Sequence, residues 1–416
     1  MSVPPPDQPT AAPPPARLPP QRIQATLVVV VFATSLFFRA VDPIIPKIAA
    51  GLNEPLGSVA LLATAFALPY ALIQPLLGAA ADMLGKTRMM FACVVIVTVA
   101  TFAGAFATSL PVLMATRVVA GAAAGGLFPI SLALVGDVVP VHLRQVAVGR
   151  LLAGSMLGNL LGASASGVVA DQLSWQGVFV MDGFFALAAT AATFVGFGGP
   201  GRKPPTKVDL SQIPANYRAI FSNPLAKFCF GGVFVEGVFL LGLYPFVAQL
   251  LHQTGEVRAS IAGIVIAGFG VGGVIYSVII GRLLPLLGQN RLMIIGGVLQ
   301  GAGIMAMALL PPWQAQLAIF VMFGCAFYLL HGSIQIFVTE LAPGARSSAT
   351  AAHSTFFFAG QSLGPVFYRY AFAGVGLVPS LLLGGLILMV NGAVCATFLR
   401  QPKPPRQDAP PQPRPR

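Results

Sequence analysis

The chain has 416 residues, of which 56% are hydrophobic and 9% charged, with a mean hydropathy of +0.82. A soluble domain carries roughly a quarter charged residues and needs polar side chains to cover its exterior, so a soluble fold is excluded and lipid is the solvent this composition fits. The net charge of +12 does not mark a nucleic-acid partner, because the basic residues lie between apolar runs rather than clustered with aromatics.

Residues 1–23 hold nine prolines and no apolar core, so they read as a disordered, proline-rich N-terminal tail rather than a signal peptide. A bilayer core about 30 Å thick takes about 20 apolar residues as a helix. Six segments of that kind follow, at 24–48, 57–80, 87–108, 110–135, 145–170 and 176–197, and together they form a bundle over 24–197. A polar, proline-containing linker covers 198–224. A second bundle over 225–399 takes its six segments from 225–249, 257–284, 290–310, 313–336, 349–372 and 376–399. Residues 400–416 form a second disordered tail. The predicted fold is an all-α membrane protein of twelve transmembrane helices in two six-helix bundles.

Orientation follows from the distribution of positive charge, which favours cytoplasmic loops. Nineteen of the 24 Lys and Arg fall on the side of the termini; Lys47, Arg258 and Arg369 lie on the other side, and Arg39 and Arg117 within helices. Both tails and the linker are therefore expected in the cytoplasm. The two bundles also repeat. Gly78-x3-Asp82-x2-Gly85-x2-Arg88 after helix 2 matches Gly281-x3-Pro285-x2-Gly288-x2-Arg291 after helix 8, and Asp137-x2-Pro140-x3-Arg144 after helix 4 matches Glu340-x2-Pro343-x2-Arg346 after helix 10. Gly158 and Gly162 in helix 5 match Gly360 and Gly364 in helix 11. Recurrence at one spacing indicates a duplicated unit, related by an axis along the membrane normal.

These residues resemble the major facilitator superfamily over about residues 24–399. The stretch 78–90 is similar to that family's signature between helices 2 and 3, with Met83 where a basic residue is common. Arg117-x3-Gly121 is similar to its helix-4 arginine motif, and Arg39-Ala-Val-Asp42-Pro43-x2-Pro46 looks like the first helix of its proton-driven efflux branch. That branch carries a Gly-Pro pair in helix 5, whereas here Gly158 is followed by Asn159. The resemblance implies a secondary transporter working by alternating access as a single chain in a bacterial inner (plasma) membrane, exporting a small organic, lipophilic compound in exchange for protons. It also implies an inner gate of ion pairs between the halves, drawn from Asp82, Gly85, Lys86, Arg88, Asp137, Arg144, Glu340 and Arg346.

A charge at mid-bilayer costs about 2.5–3.5 kcal/mol even on insertion scales, so each marks a site. Asp42 and Arg39 share one face of helix 1, and Arg117 of helix 4 lies at similar depth. Asp42 is read as the proton-binding carboxylate and the two arginines as the groups that set its affinity; a fixed salt bridge that only positions helix 1 is the alternative. Glu236, near the middle of helix 7, is a second proton site, a substrate contact, or a hydrogen-bonded acid of the core. Asp182 is expected near the outer interface within reach of water, and His331 and His353 at the cytoplasmic interface. Gly154, Gly158, Gly162, Gly360 and Gly364, with the glycines of helix 8, are expected to form the seam between the two halves. Cys93, Cys229, Cys325 and Cys395 fit packing, with no metal-ligand spacing. No nucleophile–base pair, phosphate-binding glycine loop or cofactor motif appears, and the partners implied are a small-molecule substrate, protons and the bilayer. A proton-coupled importer, and a receptor or scaffold on the same fold, remain the competing readings.

Overall fold

A computed structural model describes residues 20–199 and 212–400, apart from a few side chains that include that of Asp82. Both proline-rich tails fall mostly outside the described residues, as does the first part of the linker. Every described element is helical, as lipid demands of a chain whose backbone polar groups must pair within each segment.

In chain order, α1 is Pro20–Arg39, carried on by a 3-10 turn at Asp42–Ile44 and a helix at Ile45–Leu52. Then come α2 (Leu61–Leu84), α3 (Lys86–Ala105), α4 (Leu110–Ala124 continued by Leu127–Val138), α5 (Val141–Gln172) and α6 (Trp175–Phe197). After the linker, α7 is Ala226–Phe239 with a 3-10 stretch at Leu241–Phe246 and a last turn at Val247–Gln253. The run Ala259–Met307 bends at Gly288 and so supplies two spans, α8 over 259–287 and α9 over 289–307. They are followed by α10 (Trp313–Glu340), α11 (Arg346–Gly374) and α12 (Leu377–Phe398).

Among the described residues, ten helices are long and apolar enough to cross a membrane. The 49-residue run contains two crossings, and α11 is long enough at 29 residues but more polar, carrying His353, Gln361, Ser362 and Arg369. That accounts for twelve crossings. The duplication is visible in the backbone: Gly85, between α2 and α3, has φ 98°, and Gly288, between α8 and α9, has φ 72°. Both turns use the left-handed region that only glycine enters freely.

The linker is not wholly irregular. Gln212–Ser222 is a helix that buries Ile220 completely and packs Phe221 against Phe230 and Phe356 of the second half.

Three buried cores hold the bundle together. The largest combines both halves at the end remote from the termini, joining Ile44, Ile45, Leu62 and Leu113 to Tyr244, Phe246, Val265 and Tyr368. The other two lie toward the end of the termini and belong to one half each: one around Leu27, Val94 and Leu134, the other around Phe230, Ile334 and Ala349. The halves meet through α5 against α8 and α2 against α11. The described hydrogen bonds and ring contacts between them all lie from mid-depth to the remote end. The protein is closed at the remote end and divided at the end of the termini.

Candidate functional site

Proline sets the first feature of the site. Pro43 and Pro46 have no backbone N–H and cannot continue the ladder of α1, so the helix ends at Arg39 and restarts through the turn at Asp42–Ile44. Helix α7 breaks at matching depth into the turn that contains Pro245. Broken helices survive in lipid only where protein encloses them. Here the two breaks face one another around a cavity of about 10 Å³ lined by Arg39, Asp42, Leu241, Pro245 and Gln361 among others. That space accepts about one water molecule.

Arg39 Nη1 donates to Asp42 Oδ2 at 3.3 Å, and both groups are nearly inaccessible to solvent. The Arg39 guanidinium also sits 4.3 Å from the ring centroid of Tyr244 in the other half, a cation–π contact that gains strength from desolvation. Arg117 donates through Nη1 to the Phe37 carbonyl at 3.4 Å and lies over the Phe66 ring at 4.2 Å. Its charge acts on both Asp42 and Asp182. The structure therefore brings Arg39, Asp42 and Arg117 together, as expected from their depth.

It adds Asp182 to that group. This carboxylate is 1% exposed, and its Oδ1 has no hydrogen-bond partner. It lies two turns into α6, a helix packed on α3 and α1, and its burial corrects the expectation of a solvated interfacial residue. Depth along a helix tells how far a residue is from the headgroups, not which face is packed.

One turn toward the end of the termini lies a layer of rings. Phe38 meets Tyr70 at 5.4 Å within the first half, and Phe358 of α11 meets Phe38 at 5.5 Å and Tyr70 at 4.7 Å across the divide. Asp42 is thus walled off from the divided end.

Glu236 has a different setting. It is completely buried, accepts from Gln300 Nε2 at 2.9 Å, and faces His331 Nδ1 at 3.0 Å. The His331 ring is stacked on Phe327 and stands 4.8 Å from that of His353. Both histidines are buried, which corrects their expected place at the interface. All these partners come from the second half. Nothing in the spacing of residues 236, 331 and 353 joins them in sequence; their one legible mark is that each is a rare titratable group inside a span.

The described partners of the loop residues expected at the inner gate lie within each half. Lys86 Nζ pairs with Asp137 Oδ2 at 2.7 Å, joining α3 to α4. Arg144 donates to the carbonyls of Val139 and Gly136 at 3.1 and 2.6 Å, closing the end of α4. Arg346 does the same at the end of α10, donating to Thr339 O at 3.2 Å beside an ion pair with Glu340 at 3.4 Å. Arginine suits this place because the last carbonyls of a helix lack partners. Arg88 is exposed, Gly85 forms the turn, and the Asp82 side chain lies outside the described residues. Each described pair stays within one half.

The expected seam glycines of α5 and α11 are likewise internal to each half, whereas Gly270 of α8 does meet the other half, at Leu160. A Cβ on Gly158 or Gly162 would strike the carbonyls of Phe32 or Leu36 in α1, and one on Gly154 would meet Val28. Gly360 and Gly364 abut Phe234 and Val238 of α7. Backbone-to-backbone glycine contacts between halves are Gly167 on Ala259 and Gly263 on Ala163, and Gly57 and Gly270 meet the side chains of Arg369 and Leu160 across the same divide. Spacing shows that two backbones approach; it does not name the partner.

The sequence profile of the Major Facilitator Superfamily matches residues 27–365 and 229–416. The MFS-type transporter YfhI of Bacillus subtilis is 25% identical over 385 residues, covering 89% of this chain and 92% of the relative. Multidrug resistance protein 1 of the same organism is 21% identical over 336 residues, covering 80% and 86%. Among solved structures, the nucleoside transporter NupG superposes with a TM-score of 0.73 at 14% identity, over 91% of this chain and all of that one, a likeness of fold alone.

Proposed function

This chain belongs to the Major Facilitator Superfamily, and on that premise we propose that it exports a small, lipophilic organic compound in exchange for protons, with Asp42 as the carboxylate that carries the proton. The observation that carries this reading is the Arg39–Asp42 pair, buried where α1 breaks and α7 breaks opposite it. An ion pair removed from water is held only by good geometry and by its neighbours. Here one neighbour, Tyr244, belongs to the other half. Separation of the halves at the remote end would withdraw Tyr244 from Arg39 and admit water, changing the balance between charge stabilisation and burial that governs proton affinity. Proton uptake and release are thereby tied to the access state. With the positive side taken as the cytoplasm, the structure is the inward-facing state, in a bacterial plasma membrane with both termini inside. The multidrug relatives and the low charge of the spans favour an apolar, organic cargo.

The test is proton release from the purified protein in detergent as candidate compounds are added, comparing wild type with Asp42→Asn. Release that the substitution abolishes supports exchange at Asp42. Compound binding with no release, indifferent to the substitution, overturns it. A second reading, proton-coupled import of a metabolite, is favoured by Asn159. It bonds to Ser155 O at 3.1 Å inside an unbroken α5, where the exporters' proline is expected. Uptake into, rather than extrusion from, energised vesicles decides between the two.

A further inference from the structure

We propose that Glu236, His331 and His353 form a second proton-binding unit, a relay in the second half that loads Glu236 through the imidazoles from the end of the termini. The proposal rests on the reading of the chain as a proton-coupled carrier, but on residues distinct from the Asp42 group.

Glu236 is completely buried, and none of its described contacts is with Lys or Arg. A lone carboxylate in such a place is strongly disfavoured, and one proton shared with His331 makes the pair neutral overall. The groups around it were traced element by element. Helix α7 contributes Glu236 and Cys229, α9 the amide of Gln300, α10 His331, α11 His353, and α12 Cys395, whose thiol is bonded to Asn391 Oδ1 at 3.7 Å. Among the described residues no fixed positive charge faces the acid, so any charge that balances it arrives with a proton.

The three groups also stand in order of depth. Glu236 lies ten residues from the start of α7, His331 nine from the end of α10, and His353 seven from the start of α11. At about 1.5 Å per residue these are about 15, 14 and 10 Å from the helix tips on the side of the termini. Exposure falls from His331 to the acid, the His331 side chain being 11% exposed and that of Glu236 not at all, while His353 is itself 3% exposed. Among the described residues, His331 is the titratable group bonded to Glu236. Beyond it, His353 Nε2 is buried with no hydrogen-bond partner. That nitrogen is free to take up and hand on a proton without breaking a described hydrogen bond.

The transfer balances simply. A proton delivered by way of His353 to His331 Nε2 makes an imidazolium. That cation gives its Nδ1 proton to Glu236 Oε2, leaving a neutral acid and a neutral imidazole in its other tautomer. Release runs the same steps backward.

The experiment is time-resolved infrared spectroscopy of the buried carboxyl stretch after a pH jump, on the full chain in detergent. The band missing in Glu236→Gln is that of Glu236. In His353→Gln this band should keep its amplitude and form at least tenfold more slowly, and His331→Gln should slow it further. If His331→Gln fails to fold, as judged by gel filtration, His353→Gln carries the test alone. A Glu236 band that forms at the wild-type rate in His353→Gln overturns the relay, and so does one that never responds to pH. Asp42→Asn should leave both the band and its rate unchanged. The relay is thus decided separately from the exchange reading, which stands or falls on proton release upon compound binding.

Discussion

The two ends of the bundle are closed by different physics. At the remote end the halves are joined by backbone against backbone, Gly167 on Ala259 and Gly263 on Ala163, and by one carboxylate. Asp171, at the end of α5, accepts from the backbone N–H groups of Ala259 and Ser260 at 3.1 and 2.8 Å and pairs with Lys47 at 2.9 Å. The first amides of α8 have no partner in their own helix and carry the positive end of its dipole, so an acid from the other half caps them. At the end of the termini the described charges work inside each half: Lys86 with Asp137, Glu340 with Arg346, and arginine caps on α4 and α10. One end is a latch between bodies and the other stiffens each body. Alternating access needs both, a contact that can be undone and halves that do not deform as it is.

The strongest way to break the contrast is Gly263→Leu. Its Cβ would land on the backbone of α5, where no rotamer can yield. Overpacking of this kind costs about 1–3 kcal/mol, about 5- to 150-fold in the balance of states. Spin labels across the two halves should report the remote end opening, and transport should fall. The same substitution at Gly158 should instead unfold the first half, with a lowered Tm and no shift between states.

A middle-sized effect is expected at Asp171. Asp171→Asn keeps an oxygen for capping but removes the charge that serves both α8 and Lys47. A loss of about 0.5–2 kcal/mol should raise labelling of a cysteine placed behind the latch several-fold. Lys47→Met should add little to it, since both act on the same contact. Full additivity would mean that the two residues work independently and would dissolve the latch.

The smallest effects belong to the other end. Arg144→Ala and Arg346→Ala should each cost about 0.3–1 kcal/mol of stability, read as a modest drop in Tm with the distribution of states unchanged. A shift of that distribution by either would move these arginines into an inner gate after all.

The spans were legible because the bilayer sets their length, and the duplication because Gly85 and Gly288 demand the same turn. Helix α11 was legible too, although its polar residues place it among the less apolar spans. The Arg39–Asp42–Arg117 group could be read from an i, i+3 spacing and a count of depth. What escaped was rotation about the helix axis. Asp182, His331 and His353 had been placed by distance from a tip, yet they are buried by the neighbours their faces meet. The loop arginines Arg144 and Arg346 are legible through the gate signature that the resemblance implies, but their bonds to the free carbonyls at the ends of α4 and α10 are not.

The ring layer of Phe38, Tyr70 and Phe358 has an electrical consequence. Two arginines and two acids gather in the first half of this membrane protein, yet the cavity beside them has room for about one water and the rings stand between it and the divided end. Around this cavity the described residues offer solvent no continuous thread toward the divided end. The bilayer remains an insulator where it meets this chain, so a cell can hold many copies at rest without draining the voltage it lives on.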